Sequence, residues 1–278
     1  MQTLINFIVA SSSEGKPLIK SLDLRPCASA RGIKLYQRDN FRLAVSGIGK
    51  TASAAAVGYV AGSEPPDTRH IWLNVGIAGH AYLPQASTGI AHMITDQATG
   101  LSYYPSITFR SPCESYALAC FDKPTTTYAD DAMCDMESSG FFTAASRFST
   151  VEFVHSLKII SDNLSTDINE LNSTTISGLI ENNLELIETI AGLLQGIATT
   201  HLTQPIALPL DGLLDRWHFT STQQTQLRDL ARRWALVRAD HEWPGDEVLR
   251  CASSREVIAA LSTILDKVAL NPRSLDGS

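Results

Sequence analysis

Three acidic side chains sit where apolar runs of this sequence give way to small or polar residues. Glu137 closes Cys134-Asp135-Met136-Glu137 and precedes Ser138-Ser139-Gly140, the start of a small-residue helix. Asp162 closes Ile159-Ile160-Ser161-Asp162, where an apolar run turns polar, and Glu14 follows the first apolar run, Leu4 to Ala10. Carboxylates at the mouths of adjacent elements suit a ligand that needs one proton donor and one hydroxyl clamp. Each acid also has a plainer use. Ser11 and Glu14 have capping-box spacing, Ser161-Asp162 can cap the segment that follows, and Glu137 can complement a helix N-terminus.

The elements that must hold these acids are those of a packed α/β chain. With 278 residues, 44% hydrophobic and 18% charged, a large α/β domain with an appendage is expected. A net charge of −7 argues against coating nucleic acid. No apolar run reaches the roughly 18 residues of a membrane span, and Met1-Gln2-Thr3-Leu4 has no signal-peptide character, so a cytoplasmic protein is expected. Cys27, Cys113, Cys120, Cys134 and Cys251 form no C-x-x-C pair, which indicates reduced thiols and no structural metal site.

Strands are predicted at Leu4–Ala10, Phe41–Val45, His70–Val75, Gly89–Thr95 and Thr150–Ile160, and the region Tyr103–Tyr128, with Pro105, Pro112 and Pro124, is read as irregular. Pro65-Pro66 mark a loop before the third strand, and Gly76-Ile77-Ala78-Gly79 is read as a turn after it. Gly49-Lys50-Thr51 resembles the end of a phosphate-binding loop, but Ala44 stands where that motif needs its first glycine, so the reading is rejected. A small-residue helix over Ala52–Ala61 and a helix over Glu181–Thr199 complete an alternating pattern. That pattern predicts a central mixed, mostly parallel twisted sheet flanked by helices over residues 1–204. In such sheets ligands sit beyond the carboxyl ends of the strands, where Glu14, the Gly76–Gly79 segment and Asp162 gather.

Residues 205–278 form a helical C-terminal extension after Pro205 and Pro209. Ser221 with Gln224 opens a helix carrying Leu227, Leu230, Trp234 and Val237; Ser253 with Glu256 opens another carrying Val257, Leu261, Ile264 and Val268. Arg228, Arg232, Arg233 and Arg238 are read as a solvated face or as ion-pair partners in an oligomer.

With these residues in place the chain resembles the nucleoside phosphorylase and methylthioadenosine/S-adenosylhomocysteine nucleosidase superfamily over about residues 1–200. The likeness rests on Ala10 with Glu14, Ser46-Gly47-Ile48-Gly49, Asn74-Val75-Gly76-Ile77-Ala78-Gly79, and Met136-Glu137 with Ser161-Asp162. Phe121-Asp122-Lys123-Pro124 resembles a further element near the base pocket. The resemblance implies cleavage of the N-glycosidic bond of a purine-type nucleoside without cofactor or metal. It gives Glu137 the ribose hydroxyls and packs Met136 under the sugar. It makes Asp162, paired with Ser161, the acid to the base, and lines the base with Ala78 and Gly79. An acid raised in pKa by burial can supply the proton, and an ionised carboxylate accepts two strong hydroxyl bonds.

The nucleophile is decided by other positions. Phosphorylases of the superfamily hold phosphate with arginines and a hydroxyl, one arginine falling where Asn74 stands and the hydroxyl where Ile77 stands. Asparagine cannot neutralise phosphate and isoleucine offers no donor. The nucleosidase branch uses a glutamate at the Glu14 position to activate water, which favours hydrolysis. Ile77 departs from both branches. Arg38 or Arg42 remain candidates to reach phosphate from a neighbouring subunit, and phosphate is then the co-substrate. The alternatives are therefore a phosphorylase, or a non-catalytic nucleoside-binding scaffold whose tail recruits a partner. A small-molecule nucleoside and a second copy of the chain, a dimer by default, are the expected partners.

Overall fold

The structure of the protein, a computed structural model, describes residues 2–27, 32–65, 67–125, 127–128, 131–165, 171–200, 210–237 and 248–270. Pro66, Pro205, Pro209 and Arg238 lie outside these residues, as do the side chains of Arg232, Arg233, Trp234, Val237 and Val268. The chain divides into two compact units, Met1–His201 and Leu202–Ser278.

The first unit opens with β1 (Thr3–Val9), α1 (Ser12–Ser21), β2 (Arg25–Pro26), β3 (Lys34–Arg38), β4 (Phe41–Val45) and α2 (Lys50–Gly62). It continues with β5 (Arg69–Gly79), β6 (Thr88–Asp96), β7 (Ser102–Tyr103), β8 (Ser115–Cys120), β9 (Ala132–Asp135) and α3 (Ser138–Ala145). β10 (Val154–Asp162), α4 (Ser173–Glu181) and α5 (Leu184–Thr200) close it. The strands join one sheet, in which β4, β1, β5 and β10 are parallel neighbours. Phe7, Ile8, Leu73, Val75, Ile159 and Ile160 are fully buried along these strands, as strands covered on both faces require. From β10 the pairing runs antiparallel to β6, then parallel through β8 to β9, and returns to β5 through one pair, Gly79 with Cys134. The sheet is therefore mixed, with parallel and antiparallel ladders equal in number among the described residues. Parallel pairing joins β4, β1, β5 and β10, with Glu14 following β1 in α1 and Asp162 closing β10.

Several local expectations are corrected. Gly76–Gly79 is no turn: β5 runs through Gly79, and neither Gly76 nor Gly79 has positive φ. The region Tyr103–Tyr128 is only partly irregular, since Ser115–Cys120 forms β8; alanines there carry weak strand preference and hide it from a propensity reading. The helix expected over Glu181–Thr199 is α5, which starts at Leu184; Glu181 is the last residue of a preceding helix, α4, that is not expected from the sequence. Arg38 pairs with Asp23 at 2.8 Å and Arg42 with Glu64 at 3.1 Å, so both guanidinium groups have acidic partners within the chain.

The second unit comprises α6 (Leu210–Arg216), α7 (Ser221–Val237) and α8 (Ser254–Leu270). Leu213, Phe219, Leu227, Leu230, Val257 and Leu261 are buried in a core of its own. The α7 capping pair is Thr220 with Gln223, one residue before the expected Ser221 with Gln224, while Ser253 and Glu256 cap α8 as the spacing predicts. Arg228 is exposed. No helix of the described residues is long and apolar enough to cross a membrane.

Candidate active site

The register of β5 against β10 sets the site. Gly76 lies opposite Lys158 and Gly79 opposite Asp162, with a bulge between Ile160 and Asp162. Each glycine makes room for a side chain. A Cβ on Gly76 would lie 2.7 Å from Glu14 Oε1 and 3.5 Å from Lys158 Nζ. A Cβ on Gly79 would lie 2.6 Å from Tyr128 Cε1 and 2.7 Å from Asp162 Oδ2. These glycines serve close approach, and that is why they sit inside a strand.

Beyond these strand ends lies a cavity of about 240 Å³. Its lining includes Glu14, Ile77, Ala78, Gly79, Met136, Glu137, Ser161 and Asp162, so eight of the nine residues singled out in the sequence meet there. Phe121 is the exception. Its N–H donates to Asp135 O at 2.8 Å and its ring packs with Ala119, Ala132 and Cys134, while Lys123, Pro124 and Thr125 of the same segment reach the cavity.

Glu14 is the N3 residue of α1 and completes the capping box: Ser11 N–H donates to Oε2 at 2.7 Å, and Glu14 N–H donates to Ser11 Oγ at 3.2 Å. Its other oxygen, Oε1, accepts the Ile77 N–H at 3.1 Å. The capping use and a place in the cavity are thus compatible. Glu137 does not cap α3. Asp135 does, accepting the Ser138 N–H at 3.0 Å, which frees Glu137 Oε1 to accept the Gly49 N–H at 2.8 Å. Gly49 has φ of 101°, a conformation open to glycine, and so aims its N–H across the cavity rim.

Asp162 accepts at both oxygens. Ser161 Oγ lies 2.5 Å from Oδ1, and the Tyr128 hydroxyl donates to Oδ2 at 2.7 Å. Among the described residues its side chain is used inside the site and caps no following segment; α4 is capped by Asn172.

Sequence reasoning missed Lys158. It is a lysine in the middle of Val154–Asp162, a strand buried at every position, and that isolation was the available signal. Lys158 Nζ lies 2.9 Å from Asp135 Oδ2, the two side chains being 1% and 0% exposed. Burial alone would depress the lysine, but Asp135, Glu137 and Glu14 more than offset it and hold its pKa above the ordinary value. Glu137 is raised, chiefly by burial and also by Asp135 and Glu14, against the opposing pull of Lys158 and the Gly49 N–H. Four charged side chains thus form a single electrostatic unit beneath the cavity.

Lys50, the lysine of the rejected phosphate loop, pairs with Asp96 at 2.9 Å and Asp122 at 2.8 Å. Asp96 also accepts from Ser139, Ala98 and Thr99; burial works against ionisation, but these donors and Lys50 win and keep it well below the usual carboxylate range. Asn74 Nδ2 donates to Ile8 O at 3.1 Å, and its Oδ1 lies 3.2 Å from Ser138 Oγ. Asn74 is a structural bridge behind the cavity.

No family model and no curated protein matches this sequence. Solved structures do match the fold. The apo 5′-methylthioadenosine nucleosidase of Arabidopsis thaliana superposes with a TM-score of 0.58 at 13% identity, covering 70% of this chain and 97% of that one. The methylthioadenosine/S-adenosylhomocysteine nucleosidase of Colwellia psychrerythraea in complex with adenine gives 0.56 at 15%, covering 70% and 96%. The enzyme of S. pneumoniae with a transition-state inhibitor gives 0.53 at 17%, covering 68% and 98%. The fold of this chain is the fold of these nucleosidases.

Proposed function

We propose that the chain hydrolyses the N-glycosidic bond of a purine-type nucleoside. The observation that carries this reading is the convergence of Glu14, Glu137 and Asp162, from three elements, on one cavity. In it, Asp162 is the acid that protonates the departing base, so that the base need not leave as an anion from an oxocarbenium-like sugar. Glu137 holds the ribose hydroxyls. One of its oxygens is fixed by Gly49, and the other accepts from no described residue. Burial raises its pKa overall, and Lys158 pulls against that toward the ionised form, the form that accepts hydroxyls strongly. Glu14 is the base that activates water, its two oxygens oriented by the Ser11 and Ile77 N–H groups and each retaining a lone pair. Met136 packs under the sugar, and Ala78 and Gly79 border the base.

Water is favoured over phosphate because no arginine is among the described lining residues, and the Ile77 N–H is already committed to Glu14. Phosphorolysis is the second reading, and Lys123 in the lining is the observation that supports it. Ile48, Ile77, Met136 and Ile176 in the lining favour an apolar 5′ group, which makes methylthioadenosine the first substrate to try. The test is incubation with methylthioadenosine, S-adenosylhomocysteine, adenosine and inosine, with and without phosphate. Base release independent of phosphate is expected, and ribose 1-phosphate formation would replace hydrolysis by phosphorolysis. Binding without turnover of any of them would leave a non-catalytic scaffold. Asp162→Asn is expected to lower the rate at least about a hundredfold, and near-normal turnover would remove Asp162 from the role of acid.

A further inference from the structure

The side chain of Asp162 is held by hydroxyls, but its backbone is held by another part of the chain, residues 80–87, which link β5 to β6. The His80 N–H donates to Asp162 O at 3.1 Å, and the Leu164 N–H donates to Ala81 O at 3.3 Å. Asn163 Nδ2 donates to Leu83 O at 2.8 Å, and Gln85 Nε2 donates to Ser161 O at 2.9 Å. The Ala86 N–H donates to Ile160 O and the Ile160 N–H to Ser87 O, both at 2.8 Å. Every residue from Ile160 to Leu164 is thus bonded to this connection, and the candidate acid sits at its centre.

Little apolar burial fixes the connection itself. Tyr82, Pro84, Gln85 and Ala86 are exposed, and Ala86 has φ of 70°, in the left-handed region. Its anchor is His80, which is 2% exposed. Nδ1 of this ring accepts the Tyr82 and Leu83 N–H groups, each at 3.1 Å. Two donors aimed at Nδ1 require its lone pair, so the neutral ring carries its proton on Nε2. Burial disfavours the imidazolium and lowers the pKa of His80, against the opposing pull of Asp131. The same turn, one acceptor taking the N–H groups two and three residues on, is made by Asp96 with Ala98 and Thr99 and by Asn172 with Thr174 and Thr175. Those acceptor oxygens, like Nδ1, are bonded to Cγ. His80 does with an imidazole what a short carboxylate or amide does elsewhere in the chain.

We propose that His80 is a positioning residue for the candidate acid: its Nδ1 fixes the turn at Tyr82 and Leu83, and that turn holds the backbone of Ser161, Asp162 and Asn163 at the cavity edge. The inference rests on the nucleosidase reading, in which Asp162 protonates the base. It adds to that step a residue that does not line the cavity. An acid displaced by about 1 Å loses up to about a hundredfold in rate. The sugar contacts assigned to Glu137 and Met136 come from a different segment and stay in place, so the effect belongs in kcat rather than KM.

The experiment compares His80→Asn with His80→Leu in steady-state cleavage of methylthioadenosine. Asparagine keeps an acceptor on Cγ and loses the ring, whereas leucine keeps apolar bulk and loses the acceptor. Expected is a kcat lower by about ten- to a hundredfold in His80→Leu with KM near the wild-type value, and a kcat within about threefold of wild type in His80→Asn. Equal loss in the two variants, or the opposite order, is what packing alone predicts, and either would overturn the proposal. Should His80→Leu fail to fold, Gln85→Ala decides, because Gln85 is exposed and its amide reaches Ser161 O. A kcat lower by about threefold or more with unchanged thermal unfolding supports the proposal, and an unchanged kcat overturns it. Wild-type turnover in every variant would remove His80 from its role and leave the nucleosidase reading standing. A wild-type protein that cleaves no nucleoside would overturn both. Nitrogen NMR of the imidazole is a check independent of turnover. At neutral pH His80 is expected with a bare Nδ1 and a protonated Nε2, and a protonated Nδ1 would refute the proposal.

Discussion

The two ends of the cavity are built on opposite principles. At the Glu137 end the carboxylates are tied to backbone N–H groups and to Lys158, a fully buried cation that also faces Asp135 and Glu14. At the Asp162 end the partners are two hydroxyls, one of them on a half-buried tyrosine. Backbone donors and a buried ion pair have nowhere else to go, because an unpaired charge there would have neither water nor a substitute. A neutral hydroxyl loses little by exchanging one partner for another or for water. The difference teaches that the sugar end is preorganised by the fold, while the base end is set by exchangeable side-chain contacts.

The sharpest way to break the contrast is at the buried ion pair. Lys158→Met leaves Asp135, Glu137 and Glu14 without their shared cation and is expected to destabilise the first unit by about 3–5 kcal/mol. Denaturant unfolding measures this, and adding Asp135→Asn, which removes the charge but keeps an acceptor for the Ser138 N–H, is expected to restore part of the loss. A single substitution without effect would mean that the sugar end is no more rigid than the base end.

The paired glycines give a finer test. Gly76→Ala thrusts a methyl into the Glu14 carboxylate, which is held by the Ser11 and Ile77 N–H groups, and should cost about 1–3 kcal/mol of stability. By displacing Glu14 it should also lower turnover by about a hundredfold. At Gly79 a Cβ would meet the half-buried Tyr128 ring at 2.6 Å and Asp162 Oδ2 at 2.7 Å; both are held by exchangeable hydroxyl contacts, so Gly79→Ala should cost less stability than Gly76→Ala under the same unfolding conditions. The reverse order would contradict the assignment of the rigid and exchangeable ends.

The smallest effect concerns pH. Glu137 is raised in the folded protein, chiefly by burial, so folding takes up a proton between its ordinary value and the raised one. Its contribution to stability is present below that window and is lost as pH rises through it. Glu137→Gln should therefore flatten melting temperature against pH in this window. In the wild-type protein, ligand affinity should rise with pH over the same range as the hydroxyl-accepting form appears.

The parts of this arrangement that depend on local chemistry could be read in the sequence. The capping box of Ser11 and Glu14, the short strand Phe41–Val45 and the acids at the strand ends all advertise themselves within a few residues. What depends on register could not. The pairing of Gly76 with Lys158 and Gly79 with Asp162 joins segments some eighty residues apart, and from sequence the same glycines read as a turn. β8 was hidden by its alanines, and Tyr128 lay in a region marked irregular by its prolines. Lys158 was visible as a lone charge in an apolar strand, but its meaning required the three carboxylates that surround it.

One more glycine extends the site past the residues that face it. A Cβ on Gly140 would lie 2.2 Å from the carbonyl oxygen of Lys50, so α3 rests directly on the first residue of α2. Gly49, whose N–H holds Glu137, immediately precedes that residue, and Glu137 immediately precedes α3. The hydrogen bond at the cavity rim is therefore gauged by a helix crossing one turn away. An alanine at 140 would alter no group that a ligand could touch, yet it would reset the spacing between donor and carboxylate. The inheritance of this site is written in its spacers as much as in its acids.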